Sequence, residues 1–246
     1  MSASTAVLKA ESRLFARERT SLFWMVGFPA LLLVILGLVP PFREPSADLD
    51  GRRVIDLYVP ICVLLALIFA GIQALPPVLA GYREHGILRR MSTSPVRPGS
   101  LLGAQIVLHV AGGLASAVLV IAVGRAVFGV ALPEQPFGYL LALVLAAAST
   151  IATGAAIAAV SANVKIATVI GSLVFFPSMF TAGVWLPVQA LPDALRRIVE
   201  FTPSGAAAQA LDLAARGQWP DWSLLGVTAA WTVALVATAV RWFRWE

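Results

Sequence analysis

His109 and Ser116 are the residues whose types and spacing first suggest chemistry. They stand seven positions apart in an apolar stretch, a separation that sets both on one face of a helix. An imidazole there could act as base toward a hydroxyl nucleophile. A hydrolase built that way also needs an orienting carboxylate and a turn that presents the serine, and no such motif surrounds this pair. The same histidine is accounted for if it bonds a neighbouring helix, or if it lines a polar pathway with Gln105 one turn earlier. A phosphate loop needs Gly-Lys-Ser/Thr, but Lys9 and Lys165, the two lysines, follow Leu8 and Val164, so no nucleotide site of that kind is expected. His85 and His109 form no His-Glu-x-x-His pattern, and Cys62 is the single cysteine. Neither a metal site nor an internal disulfide is therefore expected, and no cofactor is assigned to the chain.

The elements that hold these residues belong in a bilayer. The chain has 246 residues, of which 59 % are hydrophobic and 13 % charged, with a mean hydropathy of +0.85; soluble domains carry about 25 % charged residues. Crossing about 30 Å of hydrocarbon takes about 20 apolar residues in a helix. Six stretches reach that length, at 22–39, 57–80, 101–123, 138–160, 165–186 and 222–241. Their continuous apolarity excludes barrel strands, which are shorter and alternate in polarity. The fold class is all-α and membrane-spanning, in one domain over 1–246. A charged segment precedes the first span, and Val39-Pro40-Pro41 follows it without a small-x-small site, so that span is expected to stay as an anchor.

Eleven of the 18 lysines and arginines fall in the N-terminus, the 81–98 loop, the 161–165 turn and the C-terminus, against seven on the opposite side. The positive-inside rule then places both termini in the cytoplasm, at the plasma membrane, with 187–221 outside. The net charge of +5 records this orientation, and no nucleic-acid partner is expected. Residues 1–20 read as a helix lying in the membrane interface, with Val7, Leu8, Leu14 and Phe15 on one face and Lys9, Arg13 and Arg17 on another.

No Asp or Glu falls within the six stretches, which leaves no carboxylate relay inside the membrane. Pro29, Pro76, Pro77 and Pro177 interrupt the first, second and fifth spans. Each removes a backbone donor and bends its helix, a feature tolerated where protein or water satisfies the freed carbonyls. The fourth span carries Ala146-Ala147-Ala148-Ser149-Thr150 and Thr153-Gly154-Ala155-Ala156, a small-residue surface suited to close helix packing.

The loop between the second and third spans reads Arg83-Glu84-His85-Gly86-Ile87-Leu88-Arg89-Arg90-Met91, then Thr93-Ser94-Pro95-Val96. As a short helix it groups Ile87, Leu88 and Met91 on one side, away from Arg83, Glu84 and Arg90. A charged ring around a small apolar knob can dock in a partner's groove, or the knob can rest on the ends of its own spans. This loop resembles that of the membrane subunits of type-2 ABC exporters, which include drug-resistance and polysaccharide-export permeases. Phe176-Pro177, Gly183, Leu186-Pro187, Leu191-Pro192 and Pro203 are similar to that family's broken fifth span and outer re-entrant hairpin. Thr202-Pro203 leads to Ser204, Gly205 and Ala206 where the family usually has Asn-Pro and then a Tyr.

The resemblance implies a permease that forms a homodimer or pairs with a related permease, and that binds an ABC ATPase subunit on another chain, where ATP is held. Arg83, Glu84, Gly86, Ile87, Leu88, Arg90 and Met91 would form the ATPase-coupling element, with Gln105 and His109 lining a pathway. Sparse polar groups within the spans favour a hydrophobic drug or lipid drawn from the membrane as cargo. An intramembrane hydrolase using His109 and Ser116, and a membrane-anchored scaffold or sensor, are the competing readings.

Overall fold

The computed structural model describes residues 3–49, 51–92 and 98–242. Thr93-Ser94-Pro95-Val96 and the side chain of Leu88 lie outside the described residues. Helices account for the regular structure among them, apart from one isolated antiparallel bridge between Pro45 and Arg53.

A short amphipathic helix, α1 (Ala3–Phe15), precedes the first span, α2 (Arg19–Gly37). It ends sooner than its charge pattern suggests, because the chain turns at Ala16 and Arg17 to enter α2. The second span, α3 (Val54–Glu84), leads through Gly86 to the short helix α4 (Ile87–Ser92). The remaining spans are α5 (Pro98–Phe128), α6 (Pro136–Val160), α7 (Val164–Thr181) and, at the end, α10 (Trp222–Trp242). Between the last two lie α8 (Asp193–Glu200) and α9 (Pro203–Ala215). Six crossings put the two ends of the chain on one face of the bundle, called here the terminal face; the other is the far face.

Proline shapes the first two spans through a device not visible in a hydropathy pattern. Its ring crowds the carbonyl one turn earlier and it has no N–H to give. In both spans the turn before the proline is widened to a π-helix, at Phe23–Gly27 ahead of Pro29 and at Phe69–Ala74 ahead of Pro76 and Pro77. A single-turn π-bulge absorbs the misfit and re-aims the side chains it contains. Pro60 and Pro177 instead lie within α-helix.

The second span is the buried axis of the bundle, with Leu64, Leu65, Ile68 and Ile72 at its centre. Its π segment packs on α6 with almost no space between backbones. A Cβ on Gly71 would meet the backbone of Thr150, and one on Gly154 would fall on the Gly71 carbonyl oxygen. The small residues of the fourth span thus serve packing within the chain, where Ala146, Ala147, Gly154 and Ala156 are buried. Close backbone approach supplies the dispersion contacts that hold helices together in lipid, where no hydrophobic effect drives their association.

The segment after the fifth span turns back into the bundle. Gly183, at φ 86°, starts the turn. The chain then descends through α8 and reverses at Phe201-Thr202. There Trp231, midway along α10, donates its indole N–H to the Phe201 carbonyl (2.9 Å). Thr202 caps α9 by accepting from the Gly205 amide (3.1 Å), and Pro203 occupies the first turn where its missing N–H costs nothing. Residues Ser204 to Leu211 of α9 are mostly buried against α3, α6 and α10. This is the re-entrant hairpin.

Candidate functional site

At the terminal face three polar side chains from three helices meet. The Tyr82 hydroxyl, near the end of α3, donates to Oε2 of Glu11 on α1 (2.6 Å). Gln105, near the start of α5, donates from Nε2 to the same oxygen (2.7 Å) and lies 2.7 Å from the Tyr82 hydroxyl. Glu11 and Gln105 are buried. The amphipathic helix is therefore fastened to the spans that enter and leave the 81–98 loop. His109 lies behind this cluster, with Nδ1 at 2.9 Å from the Gln105 carbonyl and its ring edge-on to Phe15 (centroids 5.3 Å).

The loop makes its own contacts. Gly86 takes φ 65°, a left-handed conformation that favours glycine, and so lets the chain reverse between α3 and α4. Glu84 accepts from the Val164 amide at the N-terminus of α7 (2.8 Å), where Asn163 caps the helix by accepting from Ile166 (2.9 Å). A carboxylate at that position also faces the positive end of the helix dipole. Arg90, exposed on α4, donates to the His85 carbonyl (3.2 Å), and the half-buried Ile87 faces a cleft beside Tyr82. Arg83 and Met91 are half-buried around the same loop.

That cleft has a volume of about 660 Å³, bounded by Glu11, Phe15, Tyr82, Ile87 and Gln105 at one end and by Gln73 and Ala74 at the other. A second cavity of about 330 Å³ adjoins it, shares Gln73 and Ala74, and adds Trp24, Met25 and Phe69. The two π segments thus line one seam. Aromatic rings continue it: Trp24 to Phe28 (5.0 Å), Phe28 to Phe69 (5.6 Å) and Phe69 to Phe175 (4.7 Å). Gln73 donates to the Ser172 hydroxyl (3.3 Å), while its Oε1 is buried with no hydrogen-bond partner among the described residues. A buried acceptor left unpaired carries a desolvation cost, and it lies toward Gly171 of α7 rather than open to either cavity. The seam can receive an apolar or aromatic molecule.

His109 and Ser116 are not brought together. The Ser116 hydroxyl donates to the Val26 carbonyl in the π segment of α2 (3.1 Å), and His109 faces α1. Gln105 does border the cleft, whereas His109 is packed behind it. Glu11 and Tyr82 were not singled out by the sequence reading. The signal for Glu11 lay in its position: it falls among Val7, Leu8, Leu14 and Phe15, on the apolar stripe of α1, where a solvated carboxylate does not belong.

A second polar network stands at the far face. Asp212, buried at the end of α9, pairs with Arg52 (3.0 Å) and Arg216 (3.1 Å) and accepts from Gln189 (2.9 Å). Nearby, Arg53 and Asp56 close the start of α3 with a 2.6 Å ion pair, and Arg53 also donates to the Phe128 carbonyl (3.0 Å). The bond to Asp56 holds the Arg53 guanidinium above its ordinary pKa, although burial acts the other way. Asp56 lies within α3 because the helix starts earlier than the apolar run at 57.

No curated protein matches the chain. A family model described as "ABC-2 type transporter" matches residues 3–212, from the first residue of α1 to Asp212 in α9.

Proposed function

Because the chain belongs to the ABC-2 type transporter family, we propose that this multi-pass membrane permease subunit exports a hydrophobic or amphipathic drug or lipid, powered by an ABC ATPase on a separate chain. The supporting observation is the extent of the family match, which takes in α1, the 83–92 loop and the re-entrant hairpin together. On this reading the terminal face is cytoplasmic, the membrane is the plasma membrane, and the ATPase binds ATP and grips α4.

The coupling element comprises Arg83, Glu84, Gly86, Ile87, Leu88, Arg90 and Met91. Movement imposed on α4 has two routes inward. Glu84 carries it to the start of α7, and Tyr82 carries it through Glu11 and Gln105 to α1 and α5. The cargo path runs along the seam of α2, α3 and α7, where a second permease, identical or related, closes the open side. Gln73 and Gln105 supply its polar points, the aromatic rings its wall, and the π segments the compliance to widen it. His109 supports the α1 contact from behind.

Arg90→Glu tests the coupling. It reverses an exposed charge on α4 and removes the bond to the His85 carbonyl within the loop. Co-purification with the ATPase subunit, followed by transport in reconstituted vesicles, should show loss of both, with the permease still monodisperse. Wild-type recovery of the ATPase together with wild-type transport would remove α4 from the docking surface.

A further inference from the structure

A groove of about 520 Å³ lies on another side of the bundle, across α6 and between α7 and α10, and shares no lining residue with the cavities of the proposed cargo seam. Its floor is the small-residue surface of the fourth span at Ser149, Thr153 and Ala156. Pro177 of α7 and Trp231 of α10 form its sides, and the re-entrant turn at Thr202 and Pro203 closes one end. Thr238 and Val160 carry it toward the terminal face.

Most of the hydroxyls in this groove have already given their protons away. Those of Thr153, Ser178, Thr181, Thr202 and Thr238 each donate to a carbonyl three or four residues earlier in the chain. The Trp231 indole N–H is engaged by Phe201. The groove thus presents mainly methyl groups, methylenes and one indole face, with the Ser149 and Ser204 hydroxyls as its few polar points, so a polar solute would lose its hydration there for little return. Its open side lies along α7 and α10, whose apolar side chains Leu173, Phe176 and Val233 point outward, and in a membrane-spanning chain that side meets hydrocarbon. A helix with its side chains is about 10 Å across, so the volume would hold only about one turn of it. A second copy of this chain is too bulky to fill it, whereas a single flexible hydrocarbon chain is not.

We infer that this groove is a binding site for one acyl chain of a bilayer phospholipid, lodged between α7 and α10 against the break in the re-entrant hairpin. The occupant fills the gap between two spans and abuts the Thr202–Pro203 turn beside Trp231. The inference stands apart from the transport reading and needs no ATPase to test.

The full chain, reconstituted in vesicles of phosphatidylcholine bearing a diazirine midway along one acyl chain, is irradiated and its adducts are mapped by mass spectrometry. Labelling is expected at Ala156 and Thr153 on the floor, although Ala156 is only 6 % exposed, and also at Val118, an outward residue of α5 that is 68 % exposed. Thr153→Phe should fill the groove and abolish the floor adducts severalfold or more while Val118 is labelled as before; Ala156→Leu serves if that variant does not reconstitute. An unlabelled floor in the native chain would mean that the groove is empty or covered by protein. Floor labelling that persists in the filled variant would mean lipid reaches those residues by another route. Either result overturns the inference.

Discussion

The polar networks at the two ends of the bundle are built on different chemistry. At the far face Asp212 binds two arginines and a glutamine, and so joins α9 to the 44–53 loop by charge and to the 187–192 segment by a hydrogen bond. At the terminal face Glu11 is held by a tyrosine and a glutamine, both uncharged donors. A carboxylate between arginines resists separation, because parting them leaves buried charge uncompensated. Hydrogen bonds from neutral groups are easier to exchange. The far face is thereby clamped, and the terminal face, where on the proposed reading α1 and α4 follow a moving ATPase, is latched more lightly.

The largest effect is expected from Asp212→Ala. It strands Arg52 and Arg216, and since both are partly exposed the loss should fall near the lower end for a broken buried pair, about 3 kcal/mol. Thermal unfolding in detergent should show a clearly lower midpoint, and Asp212→Asn should recover part of it through Gln189. A variant as stable as the native chain would remove the clamp from the comparison.

Glu11→Ala should cost less, about 1–2 kcal/mol for two lost acceptor contacts, yet damage function more. The spans should remain folded, while transport per ATP hydrolysed in the reconstituted complex falls. Glu11→Gln, which keeps an acceptor oxygen, should restore most of the coupling. If Glu11→Ala lowers the unfolding midpoint as far as Asp212→Ala, the two ends are equally rigid and the contrast between clamp and latch fails.

These networks also mark the limit of what hydropathy reveals. The six spans were legible because each is an apolar run of bilayer length, and the small-residue face of α6 because Ala, Ser and Gly recur there. The prolines were legible as breaks, but the π segments ahead of Pro29 and Pro76 were not, since relief by a widened turn depends on what packs alongside. Asp212 was hidden because α9, at 13 residues, is too short to register as a span. Its burial arises only when the chain folds back against α3 and α6. The proposed coupling role of the 83–91 residues rests on family likeness, whereas Glu11 and Tyr82 required the tertiary contact between α1 and the loop's flanking spans.

The smallest expected effect concerns Glu84, which joins the loop to α7 without entering either network. Its carboxylate does two things at once: it accepts from the Val164 amide, and it sets a negative charge at a helix N-terminus. Both are exposed, and Asn163 already caps the helix, so Glu84→Ala should cost only about 0.5 kcal/mol of stability. Glu84→Gln separates the two contributions by keeping the acceptor and removing the charge. If the contact works as a mechanical link between loop and span, Gln should transport like the native chain and Ala should be impaired, with ATPase binding unchanged in both. If the charge alone matters, Gln and Ala should be impaired alike, and raising ionic strength should reduce native transport toward theirs. A native rate in the Ala variant would leave the Tyr82–Glu11–Gln105 latch as the sole route from loop to spans, and would sharpen the contrast with the far face.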